Sequence, residues 1–294
     1  MNRSGVTRWR PVAFGLAGVV LLGLLWEAYK AIGPATGVLV GGVRVLPRTN
    51  DLAMPHLATI ASRLLQPSLS DPSSAPLWLA VARAAGFTLA IAGVSWVIGV
   101  VVGLLLAMLM QRFRTAESAL YPWVILSQTV PLIALAPLVS GLGAQVRFGQ
   151  VAWQDWMSVA VIASYLAFFP VAVGALRGLA SPERAHVELL RTYAVGWWAT
   201  LIRLRLPASV PYLLPALRLA AANAVIGTVV AEVSIGLRGG VGRMMLEFAT
   251  ASNGDPGKPW APILAAIVIG LLAAGLVALL GRALAKYRRS EVRA

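Results

Sequence analysis

The chain is 294 residues long, 59% hydrophobic and only 12% charged, with a mean hydropathy of +0.78. This is far from the balance of about a quarter charged residues typical of soluble domains. The apolar residues gather into blocks long enough to cross ~30 Å of hydrocarbon, so the chain reads as an all-α membrane protein.

The absence of cysteine excludes disulfides, thiolate metal sites and a cysteine nucleophile, and two histidines argue against metal chemistry; no cofactor is expected. A net charge of +14 does not point to nucleic acid. The basic residues sit at the ends of apolar blocks rather than on a face interleaved with aromatics.

Six spans of about 20 residues are predicted. The first, Pro11 to Ile32, follows Arg3, Arg8 and Arg10. Its apolar core exceeds the roughly 7 to 15 residues of a secretory signal, and no clear cleavage site follows Trp26 and Glu27. Residues 1–32 are therefore read as an uncleaved anchor and first span. Residues 33–85 are too polar and too rich in proline and glycine to cross, but "HLATIASRLL" (56–65) carries apolar residues at helical spacing. This stretch is expected to be an extracytoplasmic segment with one surface helix.

The core, residues 86–281, then holds the second span, Gly86 to Met110, and the third, Leu120 to Gly141. Ser127 and Gln128 lie about two turns into the third, just before Pro131, whose missing amide leaves a carbonyl free nearby. The fourth span is Trp156 to Leu179. The fifth, Ser209 to Ile235, has Asn223 midway and Glu232 near one end. A ridge of small residues, Ala216, Ala220, Ala224, Gly227 and Ala231, runs along it and suits close helix approach within one subunit or across a two-fold axis. The sixth span is Trp260 to Gly281, and residues 282–294 form a basic tail.

Polar groups in hydrocarbon are costly and face protein or water. Gln128 and Asn223 are thus candidates either to touch a passing solute or to bond between helices, and Glu232 is either a gate residue or solvated at the outer surface.

With the N-terminus in the cytoplasm, fifteen lysines and arginines fall in inside segments and eight in outside segments, which places both termini inside. On that topology residues 180–208 form the longest interior cytoplasmic loop. Within "ELLRTYAVGWWATLIRLRLP" (188–207), Leu189, Leu190, Tyr193, Ala194, Trp197, Trp198 and Leu201 recur at three- and four-residue spacing. They predict one apolar stripe on a helix whose other face is charged. The stripe needs a cover, which is either the lipid headgroups or a groove on a partner protein. Glu188, near the expected helix start, suits the positive end of the helix dipole.

Glu188, Ala194 six residues on, and Leu206–Pro207 resemble the EAA loop of permease subunits of bacterial ATP-binding-cassette importers, whose pattern runs Glu-Ala-Ala, three residues, Gly, nine residues, Ile, one residue, Leu-Pro. The departures are "ELL" for Glu-Ala-Ala, Ala194 in the glycine position, with Gly196 expected to substitute for it, Leu204 for isoleucine, and Arg205 beside the Leu-Pro.

The resemblance extends over roughly residues 77–280. "SQTVPLIALAPLV" (127–139), "FFPVAV" (168–173) and "LPASVPYLLPALRLAAANAVIGTVVAEVSIGLRGGVG" (206–242) are similar to stretches of the nitrate, sulfonate and taurine branch. Within the branch they look most like permeases for riboflavin and for pyrimidine precursors of thiamine.

That resemblance implies a six-span type I importer arrangement, with no ATPase activity in this chain. The implied partners are ATPase subunits, an extracytoplasmic solute-binding protein, a second permease subunit forming a homodimer, and the lipid bilayer. It further implies that Glu188, Leu189, Leu190, Tyr193, Ala194, Gly196, Trp197 and Pro207 couple to the ATPase. The third and fifth spans, with Ser127, Gln128, Pro131, Asn223 and Glu232, would line the pathway.

Other motifs carry no chemistry. "GDPGKP" (254–259) has Ser252 where a phosphate-binding loop needs glycine and Pro259 where it needs Ser or Thr. "GLRGGVG" (236–242) lacks a βαβ context. A secondary transporter or channel is the rival class, but it would need paired broken helices or ionisable groups near mid-membrane; Arg218 and Glu232 are the only obvious candidates, and neither sits centrally. A membrane enzyme would need clustered His, Asp or Glu in the cytoplasmic loops, which the sequence lacks.

Overall fold

The computed structural model describes residues 6–68, 71, 73–148, 151–250 and 254–283. Most of the basic tail expected at 282–294 lies outside them. The chain divides into two compact units, residues 1–80 with 247–261, and residues 81–246 with 262–294.

The first unit is built on α1 (Val6–Ile32) and α2 (Leu57–Leu65), with a hairpin of β1 (Val38–Val40) and β2 (Val43–Leu46) between them. Gly41 and Gly42 turn this hairpin with φ of 58° and 82°, a pair of left-handed residues that matches the twist of a two-residue turn. Polar residues at the end of α1 hold the loop between this hairpin and α2. The Lys30 ammonium donates to the Thr49 and Met54 carbonyls at 3.1 and 2.6 Å and pairs with Asp51 at 2.7 Å. Glu27 accepts the Leu57 amide at 2.7 Å, so a carboxylate from a distant helix satisfies one of the orphan donors at the α2 N-terminus. Residues 254–260 join the same unit. Arg63 pairs with Asp255 at 2.5 Å, and Trp260 packs edge-on against Trp26 with 5.0 Å between ring centroids. The surface helix expected at 56–65 is therefore present.

The second unit contains most of α3 (Leu77–Arg112), then α4 (Arg114–Ser127), α5 (Leu132–Gly143), a short hairpin of β3 (Arg147–Phe148) and β4 (Val151–Ala152), α6 (Asp155–Leu179), α7 (Arg184–Thr192), α8 (Trp197–Thr200), a π-helical turn at Leu201–Arg205, α9 (Leu206–Ile235), most of α10 (Val241–Thr250) and most of α11 (Trp260–Ala283). Five helical stretches are long and apolar enough to cross a membrane, and α4 with α5 makes a sixth if taken as one bent span.

The core of this unit is the pairing of α6 with α9. A side chain at Gly178 would come within 2.8 Å of Ser209, and one at Gly227 within 2.9 Å of the Ala163 backbone. Only hydrogen at these positions allows the two backbones to meet. The small ridge Ala216, Ala220, Ala224, Gly227 and Ala231 is buried. Gly227 meets Ala163, and Ala216 meets Gly174, so at both contacts the ridge serves packing inside this subunit. The outer faces of α3 and α11 expose Val97, Val101, Leu271, Leu272 and Leu279, the arrangement expected when the solvent is hydrocarbon rather than water.

The third span expected at Leu120 to Gly141, with a kink at Pro131, is broken more sharply than a kink. Its two halves, α4 and α5, meet at 103° across residues 128–131. Pro131 explains the break. It has no amide to continue the helix and disfavours the helical region for Val130 before it, and it opens α5 from an extended conformation (φ −62°, ψ 117°). The freed Ser127 carbonyl accepts the Tyr165 hydroxyl of α6.

Candidate coupling surface and intramembrane polar groups

The segment expected as one amphipathic helix over 188–201 is two helices. α7 begins earlier, at Arg184, and ends in a Schellman motif: Ala194 N donates to Arg191 O at 2.9 Å, Val195 N donates to Leu190 O at 3.0 Å, and Ala194 sits left-handed with φ 55°. Ala194 itself makes the turn expected of Gly196. Gly196 instead precedes α8 in an extended conformation (φ −65°, ψ 162°). Glu188 lies in the middle of α7, exposed, rather than at its start, so the capping role expected for it is not met; Glu183 holds the N-cap position.

Beyond the turn at Ala194 the expected stripe is part exposed and part packed. Leu189, Tyr193 and Trp198 point outward, with 54%, 75% and 67% of their surface exposed. Leu190 is half-buried, and Leu201 is buried with Met110, Leu176 and Leu179. Trp197 is half-buried, its ring centroid 4.6 Å from that of Trp198. Its indole N–H donates to the Gln111 side-chain oxygen of α3 at 3.1 Å, and the Arg112 guanidinium lies 5.0 Å from its ring centroid.

From Trp197 the chain runs on to Ile235 as one span of 39 residues. Pro207 falls in the first turn of α9, directly after the π turn, where the Leu206 amide reaches back to Leu201 O. The wider turn accommodates a proline that has no amide of its own. Arg205 ties this joint to α6 by donating to Leu179 O at 2.7 Å.

The polar groups inside the spans do not converge on one site. Ser127 ends α4 and Gln128 caps it at the bend, with Gln128 Nε2 3.4 Å from Ser127 Oγ. Asn223 donates to Leu166 O of α6 at 3.2 Å, an interhelical bond. Glu232 lies nine residues further along α9 on the opposite side, and its expected solvation is overturned because the residue is fully buried. The Thr88 hydroxyl of α3 lies 2.8 and 3.0 Å from its two oxygens, the Gly242 amide donates to it at 2.8 Å, and the Val241 amide donates to Thr88 Oγ1 at 2.9 Å. The carboxylate and hydroxyl together cap the N-terminus of α10. The glycine-rich turn is shaped around this cap, since a Cβ at Gly240 would lie 2.2 Å from the Glu232 carboxylate.

Thr88, Tyr165 and Gln111 are functional-site neighbours that the sequence reading does not single out. A signal exists for the first two, which are polar groups well inside apolar runs.

Long apolar helices, a bent proline-broken span and a two-helix segment feeding directly into a spanning rod define a multi-pass membrane protein. Residues 99–286 match the family of binding-protein-dependent transport system inner membrane components, and the chain belongs to that family: it is the inner-membrane permease subunit of an ATP-binding-cassette importer for a small solute.

It is 34% identical to the formylaminopyrimidine transport permease protein ThiX of Halalkalibacterium halodurans, over 69% of this chain and 77% of that one. It is 30% identical to a Bacillus subtilis protein named for aliphatic sulfonates transport, SsuC, over 86% and 83%. A Haemophilus influenzae protein named as an ABC transporter permease is 33% identical over 51% and 57%.

Proposed function

We propose that this chain carries a small organic solute inward, with a pyrimidine precursor of thiamine favoured over riboflavin and over a sulfonate, taurine or nitrate. The energy comes from ATP hydrolysed by a separate subunit docked on residues 184–200. The single observation that supports docking is the division of the apolar stripe. Leu189, Tyr193 and Trp198 stand exposed, while Trp197, whose ring meets that of Trp198, and Leu201 anchor the segment to the core. A knob held this way transmits a push, because packed interfaces deform in discrete steps. The lysine and arginine distribution supports a cytoplasmic position for this surface, cytoplasmic termini and an extracytoplasmic position for residues 33–85. A second copy of the chain completes the pathway, and a solute-binding protein delivers to it. The pyrimidine preference rests on the name of the 34% identical relative.

The docking part is tested by co-purification. Tyr193→Asp is expected to lose the ATPase while the variant remains folded and membrane-inserted; retention of the ATPase would overturn docking at this surface. The solute is tested by binding of formylaminopyrimidine, riboflavin and taurine to the cognate receptor. Tightest binding of the first supports the assignment, and tighter binding of either other overturns it.

A further inference from the structure

An apolar crevice of about 190 Å³ opens between α3, α9 and α11, lined by Leu89, Gly93 and Trp96 on the first, Val225 on the second and Leu276 and Leu280 on the third. Its floor is firmly made, because the Trp96 indole N–H donates to Leu217 O at 3.1 Å and Val225 packs with the buried Ala92 and Ile269. Its wall is open at Gly93, where an added Cβ would meet no atom within 4 Å.

At one end of the crevice stands Arg218, an exposed arginine in the middle of α9. Arg218 lies three residues before the lining Ala221, and its Nη2 would be 3.5 Å from a Cβ placed on Gly281, next to the lining Leu280. Arg282, also exposed, comes directly after. No described carboxylate lies within 4 Å of Arg218. Neither α3 nor α11 contains an acidic residue, and Glu232, the acid of α9, is buried against Thr88. A cation in a spanning helix that has no counter-charge among the described residues suits an anion from outside the protein. A second copy of this surface would bring more arginine and no carboxylate.

We infer that this crevice binds an anionic phospholipid, one acyl chain lying between α3, α9 and α11 and the phosphate held by Arg218 and Arg282. The hydrocarbon lining selects a chain, and the two guanidiniums select the charge of its headgroup.

The test uses the full chain in nanodiscs of phosphatidylcholine with a minority of phosphatidylglycerol, followed by native mass spectrometry of the lipid that survives delipidation. Phosphatidylglycerol is expected to be retained preferentially. Arg218→Gln is expected to reduce that preference about fivefold, the worth of one basic residue near an anionic surface, and Arg218→Lys to keep most of it. Gly93→Leu, which grows into open space, is expected to lose both lipids while thermal unfolding in pure phosphatidylcholine stays as in the parent.

Equal retention of the two lipids, or retention unchanged in Gly93→Leu, would overturn the inference. So would displacement of the lipid by inorganic phosphate alone, which would show an anion site with no role for the chain. Loss of dimer on Gly93→Leu with no change in lipid would instead assign the face to a second copy and would equally sink it.

Discussion

Glu232 shows how far one residue departs from what its position in a sequence suggests. A carboxylate near the end of a span invites solvation, yet here it is enclosed with Thr88 and two backbone amides. Its replacement by alanine leaves the Gly242 amide and the Thr88 hydroxyl buried without an acceptor. Glu232→Ala is therefore expected to cost about 3 kcal/mol, seen as a clear drop in unfolding temperature, with a smaller loss for Glu232→Gln, which keeps one acceptor.

The opposite sign is expected at Ala194. Its φ of 55° is a conformation that disfavours a Cβ, so Ala194→Gly should stabilise the chain by about 1 kcal/mol and leave uptake intact. A neutral or destabilising result in thermal unfolding would contradict the strain assigned there. The resemblance to the EAA loop implies that Ala194 occupies the position where glycine is usual. Gly196 attracts the turn in a sequence reading because glycine permits it, but the Schellman bonds place the left-handed residue two positions earlier.

Among the elements, the two that periodicity misjudges are both interrupted helices. Apolar spacing continues across a break if the chain resumes with its hydrophobic residues in step, so 120–141 reads as one kinked span and 188–201 as one stripe. Pro131 is visible in the sequence, but only as a kink with a free carbonyl. That the carbonyl is claimed by Tyr165 of another helix is long-range information that no local pattern holds. The five other spans are legible because their length and apolarity leave no alternative.

On the proposed docking at residues 184–200, docking and transmission fall to different side chains. Trp197 reaches α3 through Gln111 and Arg112, while Leu189, Tyr193 and Trp198 stay outside. Gln111→Leu is accordingly expected to leave ATPase co-purification unchanged but to lower solute uptake per ATP hydrolysed severalfold. Unchanged coupling would show that the push enters through α9 alone.

In the first unit, the Lys30 hydrogen bond and charge hold the Asp51 carboxyl below its ordinary value of 3.8. A depressed folded-state value means that this tie is present above the ordinary value and is lost as pH falls through the folded one. The protection of residues 47–54 against hydrogen exchange, taken relative to the intrinsic exchange rate at each pH, is expected to stay flat from about pH 8 to pH 5 and to fall only in stronger acid. Asp51→Asn should abolish that acid step.

For the whole molecule, the architecture assigns energy and chemistry to different chains. Nothing in the described spans gathers ionisable groups at mid-membrane in the way ion coupling requires; Asn223 is bonded to the α6 backbone and Glu232 to α3 and the start of α10. That agrees with the proposal that motion is imposed from outside, through residues 184–200.

The side of the membrane on which that surface lies is therefore decisive, and the chain lends itself to the measurement because it has no cysteine. Y193C, the single thiol in an otherwise unchanged protein, is treated with a membrane-impermeant maleimide. It should remain unlabelled in intact spheroplasts, react in inside-out vesicles and be protected there when the ATPase is bound. Labelling in sealed spheroplasts would place the surface on the exterior, and the account of how this permease is driven would fail.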